Sequence, residues 1–92
     1  MDQTAALNLA DSYLKTRSLD WDAPPVRLIR ESSFIDGKFL IVQFNSIAFL
    51  DRGEIGEMLG GNMPIRVDLN SGNCELIKMV DLIDYMDRGL IS

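Results

Sequence analysis

Ninety-two residues make one domain, residues 1–92, with room for a single modest hydrophobic core. With 47% hydrophobic and 25% charged residues the chain has the make-up of a soluble globular protein, which excludes a fibrous or disordered one. Fourteen acidic residues against nine basic ones argue against a nucleic-acid partner, and the lack of any histidine removes the commonest general base and zinc ligand.

Taken in chain order, Ala6, Leu7, Ala10, Tyr13 and Leu14 recur at spacings of three and four. That predicts an amphipathic helix over 4–18, with Asp2 or Thr4 at its start. The run Asp22-Ala23-Pro24-Pro25 ends anything helical and hands over to a strand. Val26 to Ile35 and Lys38 to Phe44 flank Asp36-Gly37, a strong hairpin signal. The second of these strands is apolar on both faces, with Leu40, Val42 and Phe44 on one and Phe39 and Ile41 on the other. A loop or another protein is expected to cover its second face, so a sheet face or edge is a candidate for association.

Residues 45–63 read as a long connection with one helical turn from Glu54 to Leu59, because Gly53, Gly56, Gly60 and Gly61 weaken a longer helix. The stretch Gly60-Gly61-Asn62-Met63-Pro64-Ile65-Arg66-Val67-Asp68 reads as a permissive loop feeding a strand, whose proline sits where a missing N–H is tolerated. The glycines precede a strand, whereas phosphate-binding loops lead into a helix. Ile65–Leu69 and Cys74–Met79 form a second hairpin around Ser71-Gly72. A closing helix follows, with Asp81 as cap, Leu82, Ile83, Met86 and Leu90 as its apolar stripe, an Asp84–Arg88 ion pair and Gly89 as a stop. The expected architecture is α+β: an antiparallel sheet of about four strands with an N-terminal and a C-terminal helix packed on it.

Catalytic chemistry finds little support. Asp20 with Asp22, or Asp81 with Asp84 and Asp87, are the carboxylate sets that acid–base work would use, yet they read as loop and solvated helix face. Asp51-Arg52-Gly53-Glu54 with Glu57 lacks the ligand alternation of a calcium loop. Cys74 stands alone, so it forms no internal disulfide and reads as a small buried hydrophobe. No enzyme activity, cofactor or metal is expected. No apolar run approaches the roughly 20 residues of a membrane span. The N-terminus lacks the basic-then-apolar pattern of a secretory signal, which makes the cytoplasm the expected compartment.

Several of these segments, in this order, resemble one family. They are Ala10-Asp11-Ser12-Tyr13-Leu14, Trp21, Phe39–Phe44, Asn45-Ser46, Phe49-Leu50, Gly53, Gly61–Asp68 and Ser71-Gly72. The chain is similar to the Immunity protein 35 (YrhB-like) family of bacterial polymorphic toxin systems. It departs from the family pattern at Met63, where a glycine is common, and at Leu69, where a lysine often follows the aspartate. The resemblance implies a protein that binds and silences a cognate toxin, papain-like cysteine peptidases being among the toxins concerned. It brings no inhibitory residues with it. From the residues themselves, the connection bearing Phe49, Leu50, Asp51, Glu54, Glu57 and Met58 is the best candidate for partner binding, since it mixes large apolar groups with acids. The alternative is that its apolar members fold back onto the core. A small heat-shock-type chaperone with an exposed, methionine-bearing surface is the second functional reading, and a homodimer is left open.

Overall fold

The first helix starts where Asp2 can cap it. Its carboxylate accepts the Ala5 N–H at 2.8 Å, and α1 runs Gln3–Ser18 with Ala6, Ala10 and Leu14 buried along one side. The computed structural model describes residues 1–91. After α1 come β1 (Val26–Leu28), β2 (Phe34–Asp36), β3 (Phe39–Val42), β4 (Phe44–Ser46), α2 (Ile47–Arg52), β5 (Ile65–Asp68), β6 (Cys74–Leu76) and α3 (Met79–Asp87). The main sheet is antiparallel, four-stranded and ordered β2-β3-β5-β6, while β1 and β4 pair separately. The α+β class therefore holds, with a helix from each end of the chain on the sheet. Among the described residues no helix is long and apolar enough to cross a membrane.

Alternation along β3 divides the interior in two. Leu40 and Val42 lie opposite Val67 and Ile65 of β5, and these four pack with Ala6, Ala10 and Leu14 of α1. Ile41 points the other way, into a second cluster with Ile77, Tyr85 and Ile91. The second face of β3 is thus covered from within the chain, by Tyr85 and Leu82 of α3 together with Ile77, Ile91 and Met63 of the neighbouring connections. Its two-sided apolar character needs no external partner.

The long strands expected at 26–35 and 38–44 are each broken. A 3-10 turn at Arg30–Ser32 separates β1 from β2, and the hydroxyls of Ser32 and Ser33 donate back to the carbonyls of Ile29 and Arg30 at 3.2 and 2.8 Å. These local bonds offer the backbone an alternative to the ladder. From Leu28 to Phe34 the chain advances six positions, while its partner strand moves only three, from Phe44 back to Ile41. The result is one bent hairpin, its tip pairing as β2–β3 and its base as β1–β4. At the tip Gly37 takes the positive φ of 58° that the turn requires.

The second hairpin closes through Asp68, whose carboxylate accepts the N–H groups of Asn70 and Ser71 at 2.8 and 3.1 Å. Its second strand stops at Leu76, short of the expected Met79, because the last helix begins two residues earlier than Asp81. Lys78 occupies the cap position without a side-chain bond, and Asp81 sits in the first turn. The expected apolar stripe of α3 is only partly the buried one. Leu82 packs inward beside Tyr85, but Ile83, Met86 and Leu90 face out, 51, 51 and 42% exposed. Tyr85 takes the inner side because its ring meets Phe34 edge to face at 5.2 Å and its hydroxyl donates to Asp36 at 2.8 Å. Asp84 and Arg88 pair at 3.2 Å as the spacing predicts. Gly89 ends the helix: its N–H donates to Met86 and that of Leu90 to Tyr85, the two bonds of a Schellman motif.

Candidate functional site

The segment read as a connection with a helical turn at 54–59 holds two short elements, α2 and a 3-10 turn at Ile55–Glu57. Ser46 starts α2 by accepting the Phe49 N–H at 3.0 Å, and Gly53, at φ 68°, stops it. The glycines thus punctuate the segment; they do not dissolve it.

Of the six residues the sequence singles out here, Asp51, Glu54, Glu57 and Met58 are exposed, while Phe49 and Leu50 are partly covered. Phe49 and Leu50 are half-buried on α2. Asp51 is engaged by Arg27 of β1, with two guanidinium nitrogens at 2.6 and 3.1 Å. That hydrogen bond holds the Asp51 carboxyl below its ordinary range and raises the Arg27 guanidinium above its own. The pair links α2 to β1, and the Asp51 side chain stays 48% exposed. Glu54, Glu57 and Met58 are exposed, Met58 at 52%. Between them stands Ile55, 76% exposed, which the sequence gives no reason to separate from an ordinary core residue. Its only local signal is a lone large apolar group set among Glu54, Gly56 and Glu57.

Leu59 turns back inward and marks where this surface becomes a cleft. The carboxamide of Asn45 accepts the Leu59 N–H at 2.8 Å and donates to the Leu59 carbonyl at 3.3 Å. Asn62 donates to the Phe44 carbonyl at 2.7 Å. Two asparagines therefore fasten residues 59–62 to β4. The cleft they shape, about 330 Å³, is lined by Trp21, Phe44, Leu59, the Gly60–Met63 stretch and Leu76. Trp21 stacks on Phe44 with ring centroids 5.5 Å apart. Gly61, at φ 76°, has open space where a side chain would stand. The glycine-rich signature thus forms one wall of an apolar hollow, a role its sequence did not announce. No ionisable side chain lines it, so it suits an apolar anchor and offers no acid or base.

Of the other chemical candidates, Cys74, Asp81 and Asp84 are engaged by structure, while Asp20, Asp22 and Asp87 are exposed single carboxylates. Burial pushes the Cys74 thiol above its ordinary pKa, the opposite of what a reactive thiolate needs. The neighbouring Arg66 pairs with Glu75 and Asp81 and lies over the Phe39 ring at 4.4 Å. Asp84 is held by Arg88. Among the described residues no three histidine, cysteine or acidic side chains gather as a metal site would require. Comparisons with protein-family models, with curated proteins and with solved structures each find no match to this chain.

Proposed function

We infer that this chain is an immunity-type protein of the cytoplasm, which binds a cognate bacterial toxin one to one and silences it, without catalysis of its own. The observation that carries this reading is the pairing of outward Ile55 and Met58, ringed by Glu54 and Glu57, with an adjoining apolar cleft free of ionisable groups. Strong interfaces have that anatomy, an apolar anchor within a polar rim. The resemblance of Gly61–Asp68 and its companion segments to Immunity protein 35 points to the same partner class, of which a papain-like cysteine peptidase is one form. The acidic rim and a net charge of −5 favour a partner with basic edges around its binding site.

The test is capture of partners from the native cell lysate, followed by titration of the partner with a double variant, Ile55→Asp with Met58→Asp. One dominant partner at one-to-one stoichiometry, carrying a toxin-like domain, is the expected result. The double variant should bind it at least about a hundredfold more weakly while unfolding normally, since both side chains stand in solvent. A second reading rests on the exposed Met58, Met79 and Met86, which suit an adaptable, unselective surface. Many weak partners, increasing on heat shock, would replace the immunity reading with this chaperone-like one.

A further inference from the structure

Just past the Asn45 ties to Leu59, the chain has a run whose backbone groups are not used internally. Among the described residues, no hydrogen bond joins the N–H or the carbonyl of Gly60, Gly61, Asn62 or Met63 to the rest of the chain. These same four residues line the apolar cleft, together with Trp21, Phe44, Leu59 and Leu76. Gly60 keeps out of the positive-φ region, and open space stands where its Cβ would be. Neither a left-handed backbone nor a neighbouring atom calls for glycine at that position. Its bare Cα instead lets another chain come close to the wall. Because Asn45 and Asn62 hold this wall to β4, an occupant does not have to order it on binding.

We propose that the cleft receives an extended segment of the partner, which pairs main chain to main chain with residues 60–63 and sends one large apolar side chain in beside Trp21 and Leu76. The inference rests on the toxin-binding reading for the identity of the partner, and adds the form in which that partner docks. The wall and the hollow together choose this occupant. Free donors and acceptors in one consecutive run match a second extended backbone, the source of affinity when a strand is added to a protein. A docking helix has already spent its backbone groups on itself, and it needs a groove long enough for anchors at i, i+3 or i+4, and i+7. A hollow of about 330 Å³ has room for one large side chain. A charged anchor is excluded as well, because no ionisable lining would pair with it. Leu59 joins the cleft to the exposed turn bearing Ile55 and Met58, so one partner covers both.

Trp21, the chain's only tryptophan, lines the cleft and reports on it directly. The probe is a capped heptapeptide of threonine and lysine with a single phenylalanine at its centre, titrated against the full chain while Trp21 emission is followed. Saturable binding is expected with a Kd on the order of 0.1–1 mM, the range that one buried side chain and a few main-chain bonds supply. Alanine in place of the phenylalanine should weaken it by about tenfold or more. Methylating the amide nitrogens on either side of the phenylalanine should weaken it on the order of tenfold too, since the paired backbone loses its donors. Gly60→Leu should also cost about tenfold or more while leaving the urea midpoint where it was, because the new side chain meets no neighbour. No saturable change by about 5 mM peptide, binding indifferent to N-methylation, or unaltered affinity in Gly60→Leu would each overturn the extended segment. A toxin-like partner that is still captured, and still lost with the Ile55 and Met58 double variant, would then leave the immunity reading standing. Peptide binding with no toxin-like partner captured would do the reverse.

Discussion

With one carboxamide, Asn45 satisfies both backbone groups of Leu59, and the same oxygen accepts the Ser46 N–H at 2.8 Å. Because the site is partly buried, truncation leaves those groups without partners. Asn45→Ala should therefore cost about 1–3 kcal/mol, read from the shift of the urea midpoint at constant slope. Tyr85 makes a prediction of the opposite kind, one seen only with pH. Burial first, and then the hydrogen bond to Asp36, push its hydroxyl up to about 12. A pKa raised in the folded state gives stability that is complete below the unfolded value near 10 and is lost as pH climbs through the folded one. The protein should lose roughly 2–3 kcal/mol between pH 10 and 12, measured as the denaturant midpoint alongside tyrosinate absorbance. Tyr85→Phe should flatten that alkaline slope, at the cost of a lower plateau at neutral pH.

At the scale of elements, α2 depends on its ends more than its middle, since six residues are too few to be helical alone. Ser46→Ala removes the cap from a fully buried position, and a loss of about 0.5–2 kcal/mol is expected in thermal or chemical unfolding. How far each element could be read from the sequence follows from where its information lies. The helix α1 was legible because its small and apolar residues hold one period from Ala6 to Leu14. The Asp36-Gly37 turn was legible because only a few residues accept its backbone angles. The break at Arg30–Ser33 was not, since serine hydroxyls returning to nearby carbonyls compete with pairing in a way that strand periodicity does not register. In α3 the apolar positions were found but their side was not. The helix has apolar groups on both flanks, and only the reach of Tyr85 to Asp36 and Phe34 decides which one is inside. The candidate site was legible as a region, while the outward pose of Ile55 and the cleft wall at Gly60–Met63 depend on contacts with Asn45 and Phe44.

For the whole molecule, β3 is the member shared by two cores, with Leu40 and Val42 in one and Ile41 in the other. The two clusters cannot melt separately without unpairing the strand between them. Trp21 fluorescence reports the first cluster and, in a Tyr13→Phe background, tyrosinate absorbance of Tyr85 reports the second, so the two unfolding curves should coincide. Leu40→Ala should move both together by about 2–5 kcal/mol. The fastenings of α2 and Leu59 have an evolutionary corollary. Because the Arg27–Asp51 pair holds α2 and the Asn45 bonds hold Leu59, residues 54–58 are an exchangeable cassette whose ends are set by the scaffold and whose content is not. A lineage in which the target changes can rewrite that cassette, in sequence and even in length, while α1, β3 and β5 continue to fold as before.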